Sequence, residues 1–256
     1  MKLLASDFDG TLHFEDGYHK EDLEAIKKFQ EAGHLFGLCS GRPLGNLQEL
    51  EEEGLRFDFI IGSSGAAFSD HGKIVYEETI PQEVFEKIYV LMKGHHLFVS
   101  TTENMYAVKE DLAFLTGWVE NTIDLSDPQL TEKEKIVHVS IEYESLEPIE
   151  KLLSQLNALK DEVEFYQNGP SIDFVPKGYS KHIGIEKAAA YYGLKEEDIR
   201  CIGDNYNDLP MLEGIKESYT FDFAPDAVRD KAGHVVHSLA QCIERLMEEE
   251  NENTCE

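Results

Sequence analysis

The sequence predicts an α/β protein, a doubly wound parallel sheet interrupted by a smaller α+β segment. Three observations carry this. Apolar runs of four to six residues alternate with amphipathic stretches of helical length over residues 1–80 and again from about 171 onward, the pattern of βαβ units. The segment between them has a different rhythm, with short strands paired to two helices. Finally, Gly33, Gly54 and Gly193 stand just past helical patterns, where a left-handed residue closes a helix.

In chain order, the expected core strands are Lys2–Ser6, Leu35–Cys39, Phe57–Ile61, Arg200–Gly203, Tyr219–Phe223 and His234–Val236. Their apolar residues run continuously, as they do when helices cover both faces of a sheet. Helices are expected at His19–Ala32, Pro43–Glu53, Ser180–Tyr192, Asn205–Glu213 and Ser238–Glu249. From about Pro81 to Gly169 come a helix (Gln82–Lys93), strands Leu97–Thr101 and Met105–Lys109, a clearly alternating strand (Lys135–Tyr143), a helix (Leu146–Leu159) and a strand (Val163–Gln167). The expected organisation is a Rossmann-like core made discontinuously from residues 1–80 and 171–256, an α+β insertion at 81–170, and a disordered acidic tail at 248–256.

Composition narrows the function. Asp and Glu total 51 against 23 Lys and Arg, a formal charge of −28. Nucleic acids are held by cations that neutralise phosphates, so this chain is not expected to bind them, and an anionic membrane surface repels it likewise. With 41% hydrophobic residues it can bury a core. No run approaches the roughly 20 apolar residues of a membrane span, and the first ten residues, MKLLASDFDG, lack a signal-peptide apolar region. Cys39, Cys201, Cys242 and Cys255 form no CxxC pair, which suits free thiols in the cytoplasm. A monomer or homodimer acting on a small molecule is expected.

The first strand runs into Asp7-Phe8-Asp9-Gly10-Thr11. Ligands of open parallel sheets gather at the carboxyl ends of strands, and a spacing of two in extended chain points both carboxylates to one side. Such a pair is costly unless a cation or a shared proton relieves it. The second strand leads to Ser40-Gly41-Arg42, a hydroxyl and backbone N–H groups suited to an anion. Lys181 opens a helix, against the macrodipole, a cost explained if its ammonium meets a phosphate. Gly203-Asp204-Asn205-Tyr206-Asn207-Asp208 supplies hard oxygen ligands of the kind Mg²⁺ prefers.

These four segments, in this order, resemble the haloacid dehalogenase superfamily, and specifically its Cof-type phosphatases with a large α/β cap. The resemblance implies that Asp7 is a nucleophile that becomes an aspartyl phosphate and that Asp9 is the general acid and base. It also implies Mg²⁺ held by Asp7, the backbone carbonyl of Asp9, and Asp204. Lys181, Ser40, Asn207 and the N–H groups around Phe8 and Gly41 would receive the phosphate, with Asp208 orienting Lys181 or the metal's waters. The implied function is Mg²⁺-dependent hydrolysis of small phosphorylated metabolites, sugar or cofactor phosphates. A sugar phosphomutase and a non-catalytic phosphate-ligand sensor are the alternatives.

The chain departs from the family pattern at Ser64, where Asn is frequent, and at His182, read as a helix-surface residue like His95 and His96. The insertion is expected to cover the site and choose the leaving group. Its Tyr106, Trp118, Tyr143 and Tyr166 are candidates for stacking, each read first as an ordinary core or sheet residue.

Overall fold

The computed structural model describes residues 1–48, 55–92, 95–101, 105–108, 121–123, 135–142, 152, 156–168 and 171–253. Sixteen strands are present among them, β1 (Leu3–Ser6), β2 (His13–Phe14), β3 (Gly17–Tyr18), β4 (Leu35–Cys39), β5 (Phe59–Gly62), β6 (Ala67–Asp70), β7 (Lys73–Glu77), β8 (His96–Ser100), β9 (Met105–Val108), β10 (Asn121–Ile123), β11 (His138–Glu142), β12 (Val163–Asn168), β13 (Ser171–Pro176), β14 (Ile199–Ile202), β15 (Glu217–Phe221) and β16 (His234–Val236). The helices are α1 (Lys20–Glu31), α2 (Leu44–Gln48), α3 (Gln82–Leu91), α4 (Lys181–Tyr191), α5 (Leu209–Gly214), α6 (Asp226–Arg229) and α7 (Leu239–Asn253).

Eight strands form the main sheet in the order β16-β15-β14-β1-β4-β5-β6-β7. The first six in that order run parallel, and β6 and β7 close the edge antiparallel. All four residues of β1 are buried, and alternation sends them to opposite faces. Leu4 joins the cluster under α1, α2 and α7 with Phe29, Leu47 and Ile243. Leu3 and Ala5 join the one under α4, α5 and α6 with Ile185, Met211 and Val228. This is the doubly wound core expected. The chain order reverses at β1, between β4 on one side and β14 on the other, and that switch point is where such sheets bind ligands.

A second sheet has the order β10-β9-β8-β11-β13-β12, antiparallel except for the β9–β10 pair. Val84, Phe85 and Ile88 of α3 pack on one face of it, against Val99, Val139, Ile141 and Phe174.

Several elements differ from the sequence expectation. Ser171–Pro176 pairs with both β11 and β12, so the second sheet extends past the expected boundary at 170/171. Asn168-Gly169-Pro170 reads as punctuation, yet Asn168 and Ser171 face each other in register. The β6–β7 edge hairpin is absent from the expected elements. The expected helix Asn205–Glu213 is a 3₁₀ turn, Tyr206–Asp208, followed by α5 with proline in its first positions. The Asp208 carboxylate turns back to the N–H groups of Asp204 and Asn205, both at 2.9 Å, and tightens that turn. Helix α7 continues to Asn253, into the expected tail, whose residues 254–256 lie outside the described residues. So do 49–53 of the second expected helix, most of Leu146–Leu159, Trp118, Tyr143 and Cys255. Among the described residues no helix is long and apolar enough to cross a membrane.

Candidate active site

The apolar run of β1 stops at Asp7, whose N–H donates to the Ile202 carbonyl at 2.9 Å, tying the ends of β1 and β14 together. The chain then turns back. Thr11, Leu12 and His13 donate their N–H groups to the Phe8 carbonyl, and Gly10 takes a φ of +82°, open to glycine without strain. A Cβ at Gly10 would stand 2.8 Å from Asp204 Oδ2, so glycine also lets the two strand ends approach. At the end of β14, a Cβ on Gly203 would lie 2.5 Å from the Asp208 carboxylate.

Lys181 joins these segments. Ser180 caps α4 by accepting the Ile183 N–H at 3.2 Å, and the next side chain, Lys181, is fully buried. Its Nζ donates to Asp7 Oδ1 at 2.7 Å and to Asp208 Oδ1 at 2.5 Å. The cost of a lysine at a helix start, expected to be met by a phosphate, is already met by two carboxylates. Burial works against its charge, but Asp208 and Asp7 outweigh burial and hold its pKa above the usual range. Asp7 is pushed well above the ordinary carboxylate range by burial and then by Asp208, which Lys181 only partly offsets.

Asp204 stands opposite, accepting from Thr11 Oγ1 at 2.6 Å. Burial, more than its neighbours, pushes its pKa up to about 6. One oxygen each from Asp7, Asp204 and Asp208 falls within a span of 4.8 Å. Three carboxylates share one ammonium, a deficit of two positive charges, and this donor set of hard oxygens fits a divalent cation such as Mg²⁺. Asp208 has both oxygens engaged, one by Lys181 and the other by the two backbone N–H groups, so it braces the cluster. Asp7 and Asp204 are the better placed to ligate.

Beside this centre, sharing Asp7 with it, lies a cavity of about 340 Å³, lined by Asp7, Asp9, Ser40, Gly41, Arg42, Asn205 and Asn207 from the main-sheet side. Its other side is the second sheet, through Phe98, His138, Ser140, Glu142, Ser171 and Asp173. Ser40 is buried, and its Oγ accepts the Arg42 N–H at 3.3 Å, leaving its own proton for a ligand. Asn207 is buried with its side-chain oxygen unpartnered among the described residues. Phe8 packs its ring in the core.

A sequence profile of the haloacid dehalogenase-like hydrolases matches residues 4–241. The chain belongs to that family. This hydrolase is 27% identical to the 5-amino-6-(5-phospho-D-ribitylamino)uracil phosphatase YwtE of Bacillus subtilis, over 96% of this chain and 98% of the relative. It is 24% identical to a phosphoglycolate phosphatase of Sulfolobus acidocaldarius, over 84% of this chain and 81% of that one. The crystal structure of the subclass IIB sugar phosphatase BT4131 superposes with a TM-score of 0.80, at 21% identity, covering 98% of this hydrolase and 99% of that chain. The Cof-type resemblance read from the motifs therefore holds, and the chain is an enzyme of the hydrolase class whose curated relatives include these phosphatases.

Asp7, Asp204, Asp208 and Lys181 form this centre and Asp9, Ser40, Gly41 and Asn207 line its cavity, whereas the side chains of Phe8 and Tyr206 pack against the cores. Two features of the hydrolase escaped sequence reasoning. Arg42 grips Asp9 through two bonds, Nε to Oδ2 at 2.8 Å and Nη2 to Oδ1 at 2.6 Å, and its guanidinium lies 5.2 Å from the Phe8 ring centre. The other is the set of polar residues on the second sheet. Their signal was the alternation of His138, Ser140 and Glu142 with Val139 and Ile141. Tyr106 packs against the second core and Tyr166 donates its hydroxyl to the Tyr179 carbonyl at 2.9 Å, so neither lines the cavity.

Proposed function

We propose that this hydrolase is a Mg²⁺-dependent phosphatase that cleaves small phosphate monoesters through an aspartyl phosphate on Asp7, with the second sheet acting as a cap over the site. The observation that carries the reading is the cluster of Asp7, Asp204 and Asp208 at the switch point, with Lys181 bound to Asp7 and Asp208 and one divalent cation short of balance.

Asp7 and Asp204 would hold Mg²⁺ with the Asp9 carbonyl, and the ion would neutralise the repulsion between a carboxylate and a phosphate and activate the phosphoryl group as a Lewis acid. Asp7 Oδ1 is fixed by Lys181, which leaves its other oxygen to attack phosphorus. Lys181, the Ser40 hydroxyl, the Asn207 amide and the N–H groups at Phe8 and Gly41 stabilise the charge spreading over the phosphoryl oxygens. Asp9 is half exposed on the same loop, where it protonates the departing ester oxygen and then deprotonates the water that cleaves the acyl phosphate. Arg42 must yield its grip on Asp9 when substrate enters. Cys39, Cys201 and Cys242 are buried and joined in no disulfide among the described residues, in keeping with a reducing cytoplasm.

Phosphate release from p-nitrophenyl phosphate, with and without Mg²⁺, tests the reading. Turnover that chelation abolishes supports it; a wild-type protein inert toward this ester in Mg²⁺ overturns it.

A further inference from the structure

A phosphate at Asp7 needs positive charge around it, and Lys181 is already shared between two carboxylates. Among the described residues that line the cavity, Arg42 is the one lysine or arginine, in the company of Asp7, Asp9, Glu142 and Asp173. Building on the phosphatase reading, we propose that Arg42 is a phosphate-binding arginine held in reserve by Asp9. It exchanges the Asp9 carboxylate for the anionic oxygens of the entering ester, and that exchange releases Asp9 for its work on the leaving group.

The backbone of Arg42 is fixed on both sides. Its N–H donates to Ser40 Oγ at 3.3 Å, and its carbonyl accepts the Ser63 N–H at 2.8 Å. Pro43 follows, and a proline confines the residue before it to extended conformations. The turn that holds the carbonyl is itself strained. Ser63 and Ser64 take φ values of +51° and +49°, a region that residues other than glycine seldom occupy and that gathers at functional sites. The Ser64 N–H donates to the Ser40 carbonyl at 2.9 Å, so one strained turn sets both Ser40 and Arg42.

With the backbone fixed, the side chain is the part able to change partner. The guanidinium lies 5.2 Å from the centre of the Phe8 ring, which is 1% exposed and stacked on His13 at 5.3 Å. Arg42 therefore rests on a rigid surface while its edge meets Asp9. Both ends of that ion pair reach solvent, the Arg42 side chain 32% exposed and that of Asp9 54%. A pair this open contributes little to stability and is readily traded. Lys181 is the contrast, because its pairs with Asp7 and Asp208 are buried and breaking them strands charges away from water.

Chemistry favours the trade. A phosphate monoester dianion carries more charge than one carboxylate, and the planar guanidinium fork matches the oxygens of either. While the fork is on Asp9, both carboxylate oxygens are engaged, and neither is free for the ester oxygen or for a water. Substrate thus lifts the block on the group that must act on it. The affinity of the site for phosphate is then what Arg42 gains on the anion less what it gives up at Asp9, so Asp9 weakens ground-state binding by way of Arg42.

A double-variant cycle on the affinity for inorganic phosphate in Mg²⁺ tests this, by calorimetry on the wild type, Asp9→Asn, Arg42→Met and the double variant. Arg42→Met is expected to weaken binding at least about tenfold, and Asp9→Asn to tighten it at least about tenfold. In the Arg42→Met background the gain from Asp9→Asn is expected to shrink below about threefold. Equal gains in both backgrounds mean that Asp9 merely repels phosphate, and they overturn the inference, as does an Arg42→Met protein that binds phosphate like the wild type. Arg42→Lys, which keeps the charge and loses the fork, gives the same cycle where Arg42→Met fails to fold. Turnover of p-nitrophenyl phosphate by the wild type keeps the phosphatase reading standing when the inference falls. A wild type inert toward that ester in Mg²⁺ overturns the phosphatase reading and the inference with it.

Discussion

On the floor of the cavity, Asp7 and Asp208 close on a buried lysine; on its wall, Asp173 and Glu142 have histidines beside them, His138 across a 3.2 Å contact and His96 in register on the neighbouring strand. The floor is a set of fixed charges that could hold one more cation, and on the proposed reading it receives the phosphate every substrate has in common. The wall is a polar face on a separate sheet, free to vary without disturbing the floor. On the proposed reading the chemistry belongs to the main sheet, and substitutions on the two sheets should have separable effects.

The largest expected effect lies on the floor. Asp7→Asn removes the proposed nucleophile and should lower kcat by at least about 10⁴-fold for every ester alike, read as phosphate release. Asp9→Asn should cost about 10²–10⁴-fold, the usual share of a general acid and base, and most for esters whose alkoxide leaving group needs the proton. An effect of Asp9→Asn equal for alkyl and p-nitrophenyl esters would break the assignment. Lys181→Met leaves two buried carboxylates facing each other without a counter-charge. It should destabilise the fold by about 3–5 kcal/mol, measured by urea denaturation without metal.

How much of this contrast is legible in the sequence follows from the same division. Asp7, Asp9 and Asp204 interrupt apolar strands where a structural sequence would place none, so the floor announces itself. The wall does not, because Ser140 and Asp173 are common residues whose meaning depends on strand pairing. The alternation of Lys135–Tyr143 is visible, but not that its polar face turns toward Asp7 instead of solvent. Strand β13 is hidden because Asn168-Gly169-Pro170 resembles a boundary. The Arg42–Asp9 pair spans 33 residues and leaves no local pattern to read.

A smaller effect concerns pH. The Asp204 pKa rises from its ordinary 3.8 to about 6 in the metal-free fold, so the native state binds more protons than the unfolded chain between those values. Stability of the metal-free protein should therefore fall as pH rises through about 4 to 6, opposite to a salt-bridged carboxylate. Mg²⁺ competes with that proton, so its stabilising shift in Tm should be larger at pH 7.5 than at pH 5, by thermal melts with and without the ion. Equal shifts would remove Asp204 from the ligand set. The smallest effect on stability is expected from Gly41→Ala, whose added methyl makes only ordinary contacts with Asp173 and Ser64. Unfolding free energy should stay within about 0.5 kcal/mol, while KM rises because the methyl occupies the seam of floor and wall.

Strand β1 lies between β4 and β14, with Leu3 paired to Leu35 on one side and to Ile199 on the other. For a ribosome this is a long wait. Asp7, the proposed nucleophile, directly follows β1, yet the strand that completes its loop is made only after almost two hundred more residues, about 10–40 s later at common translation speeds of about 5–20 residues per second. The second sheet, made from chain between those two strands, emerges complete in the interval. The nascent protein thus has the strands of its second sheet before it has the strand that brings Asp204 beside Asp7.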